Sequence, residues 1–338
     1  MAASRSQIHG PFRWRGARQR GAALLLAMTI LVLVTTITAG MVWHQRRAIT
    51  VEAAERARVQ ASWILRGALD WSRLILKEDQ RASQRRASFY TWLRDPWATP
   101  LDEARLSSFL AADKDNNADS GPEAFISGTI TDAQSRLNLR GTLDAAGKAL
   151  PLQVAALQRL ADLVGAPADT AARLVDALSR STAQAATGST GDTGVGSDSF
   201  IRLDGLADLA WLGVDPGVLK RLAPYVEVLP VPTAVNVNTA PREVLVAAID
   251  GIDLSTAERL TQARQRAPFE NLESVRNVLG AAIKLDETRV SVSSSWFEVA
   301  GRLRLEERVV EERSLVQREG DRVTVRRRER HSFETSQR

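Results

Sequence analysis

The sequence contains no cysteine and only three histidines. Without cysteine there is no disulfide bond, no thiolate metal site and no cysteine nucleophile. The histidines His9, His44 and His331 lie far apart along the chain, and neither a phosphate-binding glycine loop nor a G-x-S-x-G motif is present. We therefore predict that the protein is not an enzyme and requires no cofactor.

Charge is missing from one long stretch near the N-terminus. Residues 22–43 contain no ionisable side chain. A helix rises about 1.5 Å per residue, so this stretch would cross the roughly 30 Å hydrocarbon core of a bilayer. Residues 1–21 carry five arginines and no acidic residue. The positive-inside rule therefore predicts a single-pass membrane protein with a cytoplasmic N-terminus and its body on the other side.

A glycine immediately precedes this apolar stretch. An ordinary secretory signal has a shorter apolar core, which is followed by its cleavage site, and a plain membrane anchor does not explain a glycine at this boundary. Gly21 before Ala22 resembles the leader of type IV prepilins and type II secretion pseudopilins. The resemblance implies that prepilin peptidase cleaves between Gly21 and Ala22 and that the new N-terminus is methylated. It also implies that the helix stays in the inner membrane with the body in the periplasm.

Leu26 is the fifth residue after the implied cleavage point, where most of these proteins carry a glutamate. A carboxylate in hydrocarbon is costly and is retained only for a function. The minor pseudopilin K family lacks this glutamate, and the chain resembles that family in three further segments. They are G-x-I-x-D…N-L at 128–139, N-x-N-T-A-P-R-E-V-L at 236–245 and V-S-S-x-W-F at 292–297.

Hydrophobic periodicity predicts the elements around the membrane segment. Apolar residues spaced by three and four predict one helix from Ala22 to about Leu76. Period-two alternation predicts three antiparallel strands, at 290–299, 303–314 and 323–325, with a turn at Gly320-Asp321 and a disordered tail. Together with the resemblance, this gives an α+β, pilin-like fold in which a long N-terminal transmembrane helix packs on an antiparallel sheet.

The middle of the chain is helical and internally repeated. Gly165, Gly213 and Gly251 are each followed after eight residues by arginine and after nine by leucine. Each glycine is expected to end a helix in the left-handed conformation, which predicts an inserted all-α domain of helix-hairpin-helix repeats. The predicted domains are the leader 1–21, the transmembrane part 22–43, the first part of the pilin-like domain 44–143, the helical insert 144–286, the closing sheet 287–328 and the tail 329–338.

Several polar residues are predicted to fix turns. Asp132 and Asn138 would do so through side chain–backbone hydrogen bonds. Asn236 and Asn238, which precede the third repeat, are assigned a similar structural role. Thr239 is predicted to be the N-cap of the next helix.

Helix-hairpin-helix repeats suggest an alternative function, DNA binding by a membrane-anchored protein of a DNA-uptake system. That function needs hairpin amides that contact a phosphate, but Asp250 and Asp253 flank the third hairpin and would repel it. We therefore expect no nucleic acid partner. The resemblance makes calcium possible in the helical insert, but residues 176–182 lack most of the expected acids. Separately, the acidic run 113–121 lacks the glycine and glutamate of an EF-hand loop. Asp192 and Asp198 alone do not define a metal site.

The resemblance finally implies a function and partners. It describes a non-enzymatic subunit at the tip of the type II secretion pseudopilus, which exports proteins across the outer membrane. The implied partners are the minor pseudopilins I and J, and other pseudopilins that contact the N-terminal helix.

Overall fold

The computed structural model describes residues 19–106, 124–187, 203–305 and 308–334. The chain divides into two compact units, Met1–Gln60 and Ala61–Arg338. The described residues of the first unit are helical throughout.

Helix α1 spans Gln19–Arg86 and is 68 residues long. In the described part of the chain it is the one helix that is long and apolar enough to cross a membrane. The predicted end near Leu76 is wrong, because the helix continues for three more turns. Asp79, a charged residue just beyond the predicted end, lies buried within the helix and pairs with Arg318 at 2.6 Å.

The strands form one five-stranded antiparallel sheet in the order β1-β2-β7-β8-β9, and two short parallel pairs, β3 with β4 and β5 with β6. The strands of the main sheet are β1 (Leu101–Arg105), β2 (Ala124–Asp132), β7 (Trp296–Leu305), β8 (Arg308–Glu319) and β9 (Arg322–Glu334). The short strands are β3 (Leu137–Asn138), β4 (Val226–Glu227), β5 (Val235–Asn236) and β6 (Val290–Ser291). The α+β class predicted from the sequence is confirmed.

The strand boundaries differ from the prediction at the start of the closing sheet. The predicted strand 290–299 is wrong, since Val290–Ser291 pairs in parallel with Val235–Asn236, and β7 runs unbroken through Gly301. A Cβ at Gly301 would lie 3.2 Å from the Leu65 side chain of α1. This glycine therefore lets the helix approach the sheet and does not end a strand. The predicted turn at Gly320-Asp321 is confirmed.

The chain after residue 328 also differs from the prediction. The expected disordered tail is wrong for residues 329–334, which are part of β9. The reason is charge pairing across the hairpin. The buried Glu312 carboxylate on β8 lies 3.2 Å from the Arg328 guanidinium and 2.6 Å from that of Arg330.

Apolar side chains of α1 pack on one face of the main sheet. Leu69 and Leu76 belong to a buried cluster with Trp97 and Phe297, whose rings meet edge to face with centroids 5.2 Å apart. Each aromatic side chain removes a large apolar area from water. The helix and the sheet therefore share buried apolar clusters.

A second core lies within the helical region. Its α-helices are α2 (Pro151–Leu163), α3 (Thr170–Thr187), α4 (Pro216–Leu222), α5 (Arg242–Ala248), α6 (Leu254–Arg266) and α7 (Leu272–Leu279), with a 3₁₀ helix at Leu206–Leu212. Their buried residues form one cluster that starts at Leu137 and ends at Val292. Segments on both sides of the predicted insert, 144–286, therefore contribute to the core of the helical region.

Candidate functional site

A buried polar cluster connects α1, the main sheet and the helical region. We call it the polar junction. It comprises Asp79, Thr91, Asp132, Asn236, Thr239, Ser294 and Arg318, all of which are buried.

Asp132, at the end of β2, is the centre of the polar junction. Its Oδ2 accepts hydrogen bonds from Thr239 Oγ1 at 2.6 Å, Ser294 Oγ at 2.6 Å and Asn236 Nδ2 at 2.9 Å. Its Oδ1 accepts from the backbone N–H of Gln134 at 2.8 Å. Burial raises the pKa of Asp132, although these hydrogen bonds act in the opposite direction. Because both carboxylate oxygens are occupied and shielded from solvent, the group holds segments together and is not positioned for catalysis.

Arg318 extends the polar junction to α1. Its Nη1 donates to Asp79 Oδ2 at 2.6 Å, and its Nη2 donates to the Ser294 carbonyl at 2.9 Å and to Thr91 Oγ1 at 3.2 Å. The guanidinium also stacks on the Phe297 ring at 4.7 Å. Both charged side chains are at least 95% buried, so the pair is effective only while each partner keeps its contacts.

Asn236 and Asn238 bind the backbone before α5 and after α6, the two helices of the third repeat. Asn236 Oδ1 accepts from the Asn238 N–H at 2.9 Å. Asn238 exchanges two hydrogen bonds with the backbone of Phe269, at 2.8 and 2.9 Å. The prediction that Thr239 caps a helix is wrong, because α5 begins at Arg242 with Pro241 as its N-cap. The Thr239 hydroxyl is instead directed to the carboxylate of Asp132.

Asn138 joins the start of the helical region to a later loop. Its Oδ1 accepts from the N–H of Arg140 at 3.0 Å and of Leu229 at 3.2 Å. Its Nδ2 donates to the Val231 carbonyl at 2.7 Å and to Thr233 Oγ1 at 3.0 Å. Four hydrogen bonds from one buried amide fix the relative positions of these two segments.

An ion-pair network lies beside the polar junction. Arg136 contacts Glu298 of β7 at 2.6 Å and Glu227 of β4 at 2.9 Å. Arg327 of β9 lies 3.3 Å from the same Glu227. Burial would lower the pKa of Arg136, but the two glutamates outweigh this effect and the pKa is raised. The network therefore connects the sheet to the helical region a second time.

The three repeat glycines all adopt the left-handed conformation between two helical segments. Their φ angles are 68° at Gly165, 89° at Gly213 and 82° at Gly251. This backbone conformation favours glycine over residues with a side chain. The helical segment that directly precedes Gly213 is a 3₁₀ helix and not an α-helix.

The third hairpin carries carboxylates whose partners are already in place. Asp250 is held at 2.5 Å by Arg159 and at 2.5 Å by Arg289. Asp253 caps α6 by accepting from the Thr256 N–H at 2.8 Å, and hydrogen bonds from Thr256 and Ser255 lower the pKa of Asp253 to about 2. The Thr256 amide and the guanidinium groups of Arg159 and Arg289 are therefore engaged within the protein.

The remaining predicted site residues lie in α1 or outside the described part. Gly21, Ala22 and Leu26 are in the first two turns of α1, and Leu26 is 64% exposed. The run 113–121, Asp192 and Asp198 lie outside the described residues. Among the described residues, no group of three or more histidine, aspartate or glutamate side chains could hold a metal ion.

Four members of the polar junction, Asp79, Thr91, Ser294 and Arg318, were not identified from the sequence. Thr91 and Arg318 belong to no motif, and nothing in their neighbours indicates burial. Ser294 lies in the V-S-S-x-W-F segment. This motif marked the segment as a point of resemblance, but nothing in it indicated a contact between Ser294 and Asp132.

Comparison with known proteins shows similarity to one family. A family model described as type II secretion system (T2SS), protein K, matches residues 235–293. Type II secretion system protein K of Pseudomonas aeruginosa is 26% identical over 306 residues, covering 86% of each chain. The protein of the same name from Pectobacterium carotovorum is 26% identical over 346 residues, covering 94% of this chain and 98% of the relative.

A solved structure shares the fold. A chain of the GspK-GspI-GspJ complex from enterotoxigenic Escherichia coli matches with a TM-score of 0.59 and 18% identity, covering 82% of this chain and 98% of that chain. The resemblance to the pseudopilin K family is confirmed by the family model and by these two relatives. Together the comparisons support the role of a minor pseudopilin in type II secretion.

Proposed function

We propose that this protein is a non-enzymatic subunit at the tip of the type II secretion pseudopilus. In this role it is anchored in the inner membrane by α1 and contributes to the export of proteins across the outer membrane. The observation that carries the proposal is a helix whose apolar segment is exposed in the described part of the chain, joined to a body whose buried polar residues are bonded to one another.

The apolar segment of α1 needs a partner outside this chain. Large apolar side chains between Leu24 and Trp43 are 46–74% exposed. Exposing such an apolar surface to water is unfavourable, and a bilayer or neighbouring apolar helices would remove it from water. The five arginines of residues 1–21 favour a cytoplasmic N-terminus and a periplasmic body. Prepilin peptidase would cleave between Gly21 and Ala22.

The position at the tip is supported by Leu26 and by the helical region. Leucine cannot pair with the free amino group of a neighbouring subunit, so this chain lacks the usual acceptor for a subunit above it. We assign the helical region as an insert of three helix-hairpin-helix units that adds bulk to the body. A subunit with such an insert is difficult to stack beneath another, which favours the end of the fibre.

The partners follow from the same comparison. The solved complex places its GspK with GspI and GspJ, as its title states. We infer that this chain binds the corresponding minor pseudopilins I and J.

We assign no calcium site to this chain. Binding of DNA is disfavoured because the carboxylates of Asp250 and Asp253 lie at the third hairpin.

Mass spectrometry of the protein purified from its own membranes tests the proposal. We expect a mature N-terminus at Ala22, carrying a methyl group, and co-purification with the I and J subunits. Gly21→Leu should block cleavage, and Gly40→Leu, in the same helix with no neighbour within 4 Å, is the matched control that should still be cleaved. An N-terminus elsewhere would contradict the prepilin assignment, and salt-sensitive binding of duplex DNA in a gel shift would favour the DNA-uptake alternative.

A further inference from the structure

A cleft of about 390 Å³ opens beside the polar junction. One side is formed by the end of α1 and the turn after it, from Gln80 to Thr91, and another by the segment 291–295. Gln134, Ala234, Glu287 and Arg318 also line it. This volume falls within the range of small-molecule sites.

The lining consists mainly of hydroxyl and amide groups. Four serines of segment 291–295 line the cleft together with Ser83 and Thr91. Phe89 and Tyr90 also line it, and Phe89 is 56% exposed. The lining contains just two charged side chains, the buried Arg318, which is paired with Asp79, and Glu287, which is exposed.

Three polar side chains of the cleft are available to a ligand. Among the described residues, the side chains of Gln80 and Glu287 and the hydroxyl of Tyr90 have no hydrogen-bond or ion-pair partner. In contrast, the Gln134 amide is engaged on both its atoms, since its nitrogen donates to the Ala234 carbonyl and its oxygen accepts from the N–H of Ser295. A ligand would therefore meet free donors and acceptors from an amide and a carboxylate, next to an exposed aromatic ring.

This chemistry excludes several classes of ligand. An anion would find its one cation already neutralised by Asp79 and would be repelled by Glu287. A peptide segment is normally held by pockets for its side chains, but besides Phe89, Tyr90 and Ala234 the residues that line this cleft are polar. A sugar ring differs, because it combines an apolar C–H face with hydroxyl groups around its edge.

We propose that this cleft binds a neutral saccharide. Phe89 would contact the C–H face of a sugar ring, and Gln80 and Glu287 would bind its hydroxyl groups. The inference is independent of the proposed secretion function, since it depends on the lining of the cleft alone.

The test is a titration of the full-length protein with two neutral sugars, chitotriose and maltotriose. The protein should be held in polymer-bounded nanodiscs, because sugar-headed detergents would compete. Saturation-transfer NMR and calorimetry should show saturable binding of at least one sugar. Phe89→Ala should weaken that binding about tenfold, equivalent to about 1.4 kcal/mol, and Gln80→Ala should also weaken it.

The matched control is Trp211→Ala. Trp211 is an aromatic residue outside the cleft that is 80% exposed, so its removal should leave sugar binding unchanged. Because Phe89 is largely exposed, its variant should fold, and near-ultraviolet circular dichroism verifies this. Failure of both sugars to bind, or binding that Phe89→Ala does not change, would overturn the proposal.

Discussion

Replacing Asp132 by asparagine tests whether the polar junction holds the body together. Oδ2 accepts three side-chain hydrogen bonds, at 2.6, 2.6 and 2.9 Å. Each hydrogen bond to a charged group contributes about 1.5–3 kcal/mol. The cost of burying the carboxylate offsets several kcal/mol of this sum. In Asp132→Asn an NH₂ group would face the donating amide of Asn236, so we expect a net loss of about 2–4 kcal/mol in the free energy of unfolding.

The assay is chemical unfolding of the full-length protein in detergent, followed by near-ultraviolet circular dichroism. The matched control is Asp144→Asn. Asp144 is exposed and accepts from the N–H groups of Ala146 and Lys148, so its variant should lose less than about 1 kcal/mol. Equal losses in the two variants would refute the assignment of Asp132 as the centre of the polar junction.

The pH dependence of Asp132→Asn gives a second test. Burial raises the pKa of Asp132 in the folded protein above its ordinary value of 3.8. The folded state therefore binds the Asp132 proton more tightly than the unfolded state does. The stability of wild type relative to Asp132→Asn should be greatest below the unfolded pKa and should fall as the pH rises through the folded pKa. A difference that grows with pH would contradict the raised pKa.

Two further predictions concern single contacts. Arg318→Leu should cost about 3–5 kcal/mol, because it leaves the Asp79 carboxylate buried without its partner; chemical unfolding checks this, and a loss under 1 kcal/mol would contradict it. Gly251→Ala should cost about 1–2 kcal/mol, since a side chain at φ 82° is strained and its Cβ would lie 3.4 Å from Ile283 Cδ1. Gly141→Ala, with open space around its Cβ and no positive φ, is the control and should be nearly neutral, and equal losses in both would contradict the strain.

The helices were largely predictable from the sequence, and the reason is local. Residues 22–43 are uniformly apolar, and the repeat glycines have a conformational preference that few other residues share. Such signals depend on neighbours in sequence, so periodicity and glycine position reveal them. The end of α1 was missed because Asp79 is stabilised by Arg318, a residue 239 positions away.

The polar junction was not predictable for the same reason. The motif residues Asp132 and Asn236 were singled out, but their contact joins positions 104 residues apart. Thr239 has the chemistry of an N-cap, and nothing nearby in sequence shows that a buried carboxylate takes its hydroxyl. Likewise, the basic run at the end of β9 has the composition of a solvated tail until Glu312 is placed beside it.

The wide spacing of the polar junction along the chain has a consequence for assembly of the body. Its members come from α1 and the turn after it, from the end of β2, from the segments before α5 and after α6, and from β8. Bringing the ends of such long loops together costs chain entropy before any of these bonds is gained. Because Arg318 lies on β8, the polar junction can form only after β8 has been synthesised. The last hydrogen bonds that hold the body together therefore form when nearly the whole chain is complete.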